Sequence, residues 1–432
     1  MSTLGEDGID TTAADELGDE GETSPKLDLT TGGGQEGAED EGGDEECGPE
    51  HLPTPNATLT GTVYAPNLEI PISGALVYLV DEDPEPVPDG VYCAECVELP
   101  CEKHYVLTEP DGSFELPAVA GPGQKFVVQK GQFLHVTEMD VAQGDVQVPA
   151  VDSSLPGEWN PAAGHWIPRI AVFETFNDSI YDLLAKIGLG QIDSYGALVD
   201  GTEQFDVLDP YSEGQLLDNL DAMMGYHIIF VPCMSQGGLG QPANRLDNIR
   251  SWTEAGGKWY VTDWANEYLY EPFPDYQDFH DPDYPDLGSY ESHGTITDPD
   301  LLAWLSALPP GLKDIGGGSP TLNNLPSVTL EDNWSGLDMI HDIFVQNEEG
   351  EDVNVGHHEW VSGPCGACTD SNTERPMTVS GQWGCGRMMF STYHTTEFEH
   401  QGLTPQELVL LYIILEIGVC HGEAPPPPPP IE

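Results

Sequence analysis

From Arg169 onward, short apolar runs alternate with segments that have the spacing of helices, and this alternation restricts the fold more than any other feature. The apolar runs are residues 169–173, 205–208, 226–231 and 258–262. Runs that are apolar at nearly every position are typical of parallel strands buried on both faces. The pattern predicts a doubly wound, flavodoxin-like α/β domain over residues 169–420.

The residue types that favour the first positions of helices indicate where two helices of this region begin. Asn177 or Asp178 is expected to cap the first helix. The last helix is expected to begin at Thr404–Glu407, a capping box with proline at the first helical position. Residues 264–330 are rich in Pro, Asp and Tyr and are expected to be irregular, apart from a helix at residues 301–308.

Residues 57–150 have a different pattern, in which short alternating strands are separated by turn residues. The segments Glu109–Gly112 and Lys130–Gly131 have the glycines and proline of tight turns between strands. Many short strands with frequent turns predict a small antiparallel β-sandwich. A segment with several prolines and glycines, residues 151–168, is interpreted as a linker.

The two ends of the chain lack the composition of a folded core. Residues 1–56 are mostly Gly, Asp, Glu, Thr and Ser and are predicted to be a disordered acidic leader. Residues 421–432 form a proline-rich tail, which is interpreted as a stiff polyproline segment or a ligand of an SH3-like domain.

Charge excludes several classes of partner. The chain has 12 Lys and Arg against 76 Asp and Glu, a net charge of −64. Binding to nucleic acid needs clustered basic residues, so no nucleic-acid partner is expected. The same charge argues against adsorption to an anionic membrane. The acidic surface suits a salty or calcium-rich exterior, although a general acidic habit with no specific ligand is the preferred explanation.

The nine cysteines favour an oxidising compartment with disulfides. The sequence has no apolar segment of transmembrane length. It also lacks the basic and apolar regions of a signal peptide at its start. We therefore expect an extracellular or cell-surface location, with any signal absent from this chain.

One group of cysteines leaves two interpretations open. Cys93, Cys96, Cys101 and His104 have a spacing that can close a tetrahedral zinc site. Disulfides within this loop or to Cys47 are the preferred interpretation. The same alternatives apply to Cys365 and Cys368 with Cys385, near His357 and His358.

Two segments of the strand-rich region resemble a known family. Pro71–Val77 and Thr108–Leu116 are similar to the carboxypeptidase regulatory-like, or transthyretin-like, domain. The resemblance implies a non-catalytic extracellular module over about 90 residues.

Two segments of the α/β region resemble the class I glutamine amidotransferase-like superfamily, especially its ThuA-like branch. These are Ala255–Trp264 and Gly386–His394. The tandem order also resembles uncharacterised secreted bacterial lipoproteins, in which an acidic spacer follows a lipid-attached cysteine. The resemblance implies a fold without a defined reaction.

Candidate site residues follow from the rule that ligands bind beyond the carboxyl ends of strands in open α/β sheets. The titratable residues expected there are Glu174, Asp209, Cys233, Asp263 and His394. Glu397 and Trp264 follow closely in sequence. Of these, Asp263, His394 and Glu397 are the catalytic candidates, and Glu174, Asp209, Cys233 and Trp264 are the ligand-binding candidates.

The nucleophile of the amidotransferases is missing from its expected position. Those enzymes place a cysteine at the turn after the strand that here leads to Asp263, so the resemblance does not extend to glutamine hydrolysis. Cys233 lies one strand away and is expected to be a buried structural thiol. Calcium held by Glu174, Asp209 and Asp263 is the first cofactor considered, and zinc the second.

Two functions remain open from the sequence. The first is an exported cell-surface binding or structural protein with a non-catalytic α/β domain and a glycan or protein partner. The second is an extracellular hydrolase of sugar or amide substrates that uses Asp263 and His394.

Overall fold

A computed structural model describes most of the chain. It covers residues 52–416 except for gaps at 95, 98, 100–102, 210–212, 235–238, 240–243, 282–285, 348–349 and 397, together with residues 418, 419 and 427. Residues 1–51 of the predicted acidic leader and most of the proline-rich tail fall outside these residues.

The N-terminal region forms two sheets. Its strands are β1 (Ala57–Thr62), β2 (Leu76–Val80), β3 (Tyr105–Leu107), β4 (Ser113–Ala118), β5 (Gly121–Lys130), β6 (Phe133–Val141), β7 (Gly144–Gln147) and β8 (His165–Trp166). One sheet has the order β4-β1-β7 and the other β3-β2-β5-β6-β8. The predicted turns lie between β3 and β4 and between β5 and β6, where Gly131 has a φ of +56°. Strand β8 pairs with β6, so part of the predicted linker belongs to this region.

A nine-stranded mixed sheet forms the C-terminal region, in the order β10-β9-β11-β12-β21-β20-β19-β14-β15. Its strands are β9 (Ile170–Phe173), β10 (Asp206–Leu208), β11 (Ile228–Val231), β12 (Lys258–Thr262), β14 (Tyr290–Ile296), β15 (Ser327–Asn333), β19 (His358–Pro364), β20 (Glu374–Trp383) and β21 (Gly386–Ser391). The five strands from β10 to β21 are parallel, as predicted. The other four are antiparallel.

This antiparallel half corrects the prediction of an irregular segment at 264–330, because β14 lies within it and β15 begins there. Two small antiparallel pairs complete the described strands: β13 (Gln277–Phe279) with β16 (Leu337–Ile340), and β17 (Phe344–Gln346) with β18 (Asp352–Asn354).

Helices cover both faces of the parallel half of the sheet. The helices in the described residues are α1 (Ala150–Ser153), which packs on the N-terminal sheets, α2 (Ile180–Leu184), α3 (Glu213–Leu217), α4 (Leu220–Met223), α5 (Asn244–Glu254), α6 (Glu267–Tyr270), α7 (Pro299–Ala307), α8 (Pro310–Lys313) and α9 (Pro405–Glu416). Side chains of α3, α4 and α5 share one core with the sheet. Those of α2, α7 and α9 share another core with the N-terminal sheets. No helix in the described part of the chain combines the length and apolar character needed to cross a bilayer.

The two regions are joined by buried contacts between them. Lys130 Nζ lies 2.7 Å from Glu416 Oε1 in an ion pair with both side chains buried. Trp304 Nε1 donates a hydrogen bond of 2.8 Å to the Pro71 carbonyl. The shared core, the ion pair and this hydrogen bond indicate that the regions pack as one body.

A disulfide between Cys93 and Cys385 adds a covalent connection, since these residues are 292 positions apart. Serine at both positions is expected to lower the free energy of unfolding by about 4–5 kcal/mol, because a bond across a long loop removes much of the entropy of the unfolded chain. Urea unfolding under non-reducing conditions measures the loss.

Removal of the Cys365–Cys368 disulfide is the matched control. It closes a separation of only three residues, and its loss is expected to cost about 1–2 kcal/mol. Equal losses for the two double variants would contradict the entropic explanation.

Candidate functional site

Asp263 occupies the sharp turn after β12 and is completely buried. Its φ of +49° is in the left-handed region, which residues other than glycine rarely adopt. Such strain is found mainly where the surrounding structure requires it, and often at functional sites. The turn directs the Asp263 carboxylate toward His394, whose Nδ1 lies 2.8 Å from Oδ2.

Cys233 completes a buried cluster with these two residues. One potential ligand atom from each of Cys233, Asp263 and His394 lies within 4.8 Å of the others. The cysteine follows β11, the aspartate follows β12 and the histidine follows β21, which are neighbours in the sheet. The structure therefore brings together three residues that the sequence placed at separate strand ends, and Cys233 lies beside His394 rather than apart from it.

Electrostatics sets the protonation of the cluster. Burial raises the pKa of the Asp263 carboxyl to about 6, although its hydrogen bond with His394 opposes the change. Burial, and next the Asp263 charge, raise the pKa of the Cys233 thiol to about 11, while His394 and the Trp264 backbone lower it. At pH 7 the carboxylate is ionised and the thiol is neutral. An ionised carboxylate only accepts hydrogen bonds, so His394 Nδ1 carries the proton and Nε2 is the nitrogen that can accept one.

Asp178 connects the three strand ends that carry the cluster. Its buried carboxylate accepts hydrogen bonds from the Cys233 N–H (3.3 Å) and from Thr262 Oγ1 (2.6 Å), next to Asp263. It also accepts from the N–H (3.2 Å) and Oγ1 (2.6 Å) of Thr395, next to His394. One side chain thus fixes the backbone at all three positions.

The role of Asp178 corrects the prediction that Asn177 or Asp178 caps the first helix. Ser179 occupies the cap position of α2 and makes no side-chain cap hydrogen bond. An acidic residue shortly after a strand was the only available signal. The donors Cys233 and Thr395 lie 55 and 217 positions from Asp178 in the sequence, and no local pattern predicts such partners.

The segment Asn333–Gly336, which we call the cover, packs against Asp263. The Trp334 N–H donates a hydrogen bond of 2.9 Å to Asp263 Oδ1. A side-chain carbon at Gly336 would lie 2.7 Å from Cys368 Sγ, so the glycine allows the Cys365–Cys368 disulfide to pack against this segment. Cys233 is only 1% exposed and His394 is fully buried.

The donors of the cluster suit zinc better than calcium, because they include sulfur and nitrogen. However, the hydrogen bond to Asp263 occupies Nδ1 of His394. Both Asp263 oxygens already accept hydrogen bonds, from His394 and from the Trp334 N–H, so a metal would have His394 Nε2 and the Cys233 sulfur as its main ligands, whereas catalytic zinc sites have three protein ligands. The arrangement fits a hydrogen-bonded cluster better than a metal centre.

The other candidates from the sequence are placed differently. Glu174 and Asp209 are exposed, while Asp263 is buried. These three residues therefore do not form the predicted calcium site. Among the described residues, the group with the spacing of metal ligands is Cys233, Asp263 and His394. Trp264 is half-buried beside Cys233, and Glu397 lies outside the described residues.

The zinc interpretation of the N-terminal cysteines is wrong. Cys93 bonds to Cys385, and Cys96 is also in a disulfide. The Nε2 atom of His104 lies 3.0 Å from the Pro53 carbonyl. Cys101 and Cys47 lie outside the described residues. The prediction of disulfides in this region is confirmed. The partner of Cys93, however, is Cys385 and not a cysteine of the same loop or Cys47.

Comparisons with known proteins give only distant likenesses. No family model matches the chain, and no curated protein matches it. Similar solved structures include a putative GMP synthase component from Thermoplasma acidophilum, at 8% identity and a TM-score of 0.32, covering 59% of this chain and 94% of that one. A putative ThuA-like protein from Parabacteroides merdae has 9% identity and a TM-score of 0.31, covering 59% and 89%.

A β-galactosidase from Bacillus circulans is also similar, at 10% identity and a TM-score of 0.29, and the match covers 59% of this chain and 31% of that enzyme. Likenesses of this size establish neither the family nor the activity of the chain.

Proposed function

We propose that the C-terminal region is a cysteine hydrolase that acts on amide bonds, with Cys233 as nucleophile, His394 as general base and Asp263 as the residue that orients His394. The observation that carries the proposal is the buried cluster of these residues with a 2.8 Å contact between Asp263 and His394. Cys233 supplies a thiol from the neighbouring strand, so the aspartate at the turn no longer argues against catalysis.

The chemistry follows the general logic of an activated nucleophile. Cys233 Sγ attacks the carbonyl carbon of the amide while its proton passes to His394 Nε2. The proton then goes to the leaving amine as the C–N bond breaks, which leaves a thioester on Cys233. Water, deprotonated by His394, attacks the thioester, the C–S bond breaks to release the carboxylic acid, and the thiolate recovers its proton from His394. Asp263 stabilises the imidazolium in each half of the reaction.

Access to the cluster requires movement of the cover, Asn333–Gly336. A closed cover excludes water and strengthens the interactions inside the site, but it also keeps the thiol neutral by burial. The proposal therefore needs an open state in which the carbonyl of a substrate reaches Cys233.

Labelling with a chloroacetamide probe tests this proposal. We expect modification of Cys233 at one equivalent, detected by peptide mass spectrometry under non-reducing conditions. We also expect the rate to rise with pH through about 6, because Asp263 must lose its proton to stabilise the imidazolium. His394→Gln is the matched variant and is expected to lower the rate strongly. A rate that is insensitive to His394 and rises only near the thiol pKa of about 11 would contradict the proposal.

A second candidate is an exported binding or structural protein whose cluster only stabilises the fold. The complete burial of Cys233 and His394 favours it. The Cys93–Cys385 disulfide supports an extracellular location, and the two N-terminal sheets support a carboxypeptidase regulatory-like sandwich acting as a spacer. Binding to a cell-surface glycan or protein array, without any labelling of Cys233, would favour this candidate over the hydrolase.

A further inference from the structure

Three exposed aromatic side chains stand on loops around the buried cluster. Phe176 is fully exposed, and Tyr195 and Phe398 are 64% and 50% exposed. Phe176 follows β9, Phe398 follows β21, and Tyr195 lies in the loop before β10. Large exposed aromatic groups are enriched where proteins bind partners. We call Phe176, Tyr195 and Phe398 the aromatic rim.

Backbone and side-chain contacts join the three loops into one surface. The Ser179 N–H donates a hydrogen bond of 2.8 Å to Thr395 Oγ1, which connects the loops of Phe176 and Phe398. The Gln401 side chain donates a hydrogen bond of 2.9 Å to the Asp193 carbonyl, which connects the loops of Phe398 and Tyr195. These hydrogen bonds hold the three loops of the rim together.

The same contacts place the loops of Phe176 and Phe398 next to the cluster. Thr395 adjoins His394 and is bound by the Asp178 carboxylate, which also holds the Cys233 backbone. Phe176 precedes Asp178 by two residues in the same loop. A molecule bound on the rim would therefore lie at the edge of the site.

The charge around the rim is of one sign. Exposed carboxylates on these loops belong to Glu174, Asp193, Asp200 and Glu399. The sequence has no Lys or Arg at 174–179, 193–200 or 395–401. The surface thus combines apolar rings with negative charge.

We propose that the aromatic rim binds a cationic polypeptide segment that also carries apolar side chains, and that such segments are the substrate class of the hydrolase. Binding follows from the rim alone, whereas cleavage rests on the proposed function. Charge complementarity selects this partner. A second copy of the chain, with its own charge of −64, an anionic membrane and a nucleic acid would all be repelled.

Fluorescence anisotropy with a labelled peptide of alternating lysine and leucine tests the proposal. We expect saturable binding to the full chain that weakens with added salt but persists at about 0.15 M ionic strength. Phe176→Ala and Phe398→Ala are each expected to weaken it about tenfold. Phe344→Ala is the matched control, since Phe344 is 62% exposed on β17 and outside these loops, and it should bind as the parent does. A lysine–serine peptide should bind more weakly and should not respond to Phe176→Ala.

Absence of binding would overturn the proposal. Equal binding by the parent and both rim variants would also overturn it, because the attraction would then come only from the acidic surface. Cys233→Ala is expected to bind the peptide as the parent does. This variant separates the two proposals. If Cys233 is not labelled, the hydrolase proposal fails, but the rim variants can still lose peptide binding. If the rim variants bind as the parent does, the rim proposal fails, but the labelling of Cys233 is unchanged.

Discussion

An Asp263→Asn variant is expected to react with the chloroacetamide probe, and to turn over amide substrates, about 10³-fold or more slowly than the parent. The neutral amide cannot stabilise the imidazolium of His394, and it can reverse the ring tautomer by donating to Nδ1. The rate should also lose its rise near pH 6, because that rise reports the Asp263 carboxyl.

The substitution is a sharp test because the backbone tolerates it. Asparagine adopts the left-handed region more readily than most residues, so the φ of +49° at this turn is not a reason for misfolding. Circular dichroism and urea unfolding check that the variant is folded.

Asp298→Asn is the matched control. Asp298 lies outside the cluster and pairs with His358 at a distance of 3.0 Å. It is also the N-cap of α7, a position where asparagine is favoured. Its Cys233 should react as in the parent. Equal rates for Asp263→Asn and the parent would mean that the Asp263–His394 contact is only structural.

Replacement of Asp178 by alanine is expected to lower the free energy of unfolding by about 3–5 kcal/mol. The change leaves several buried donors without their acceptor, and each unsatisfied group costs about 1–3 kcal/mol. The lost partners are the N–H of Cys233, the hydroxyl of Thr262 and both donors of Thr395. Asp178→Asn should cost less, because its carbonyl oxygen still accepts.

Asp182→Ala is the matched control for this prediction. The half-buried Asp182 carboxylate accepts one backbone hydrogen bond, from the Leu198 N–H at 2.6 Å, and its loss is expected to cost about 1 kcal/mol. Urea unfolding of the three variants gives the comparison. A loss for Asp178→Ala no larger than for Asp182→Ala would contradict the connecting role of Asp178.

The parallel half of the sheet could be predicted because its strands bury both faces. Strand β12 covers the predicted residues Lys258–Thr262, and all five of its residues are buried. Helix α9 begins at the predicted capping box, where the Thr404 N–H donates to Glu407 Oε2 at 2.8 Å. Local sequence determines both features.

Strand β14 of the antiparallel half was missed because two of its three buried positions are not apolar in the sequence. In β14 the buried residues include Ser292 and Gly294, with Ile296 at the end. The period of two is present in the structure, but small and polar residues conceal it. Neighbouring strands supply the apolar contacts that such a strand lacks.

The candidate site could be predicted only at the level of strand ends. The rule for parallel sheets placed Cys233, Asp263 and His394 at one edge, but not within contact of each other. Asp178 and the cover, Asn333–Gly336, depend on tertiary contacts. The same reason applies to Cys93, whose partner lies 292 residues away.

The Cys93–Cys385 bond also has a mechanical consequence. It closes most of the chain into a covalent ring, since its ends are 292 residues apart. A pull between the two termini would pass through the sulfur bridge and leave Cys233 and Asp263 free of load. Tension would fall instead on the elements outside the ring, which in the described residues are β1, β2, β21 and α9, so these would give way first while the interior of the ring stayed intact.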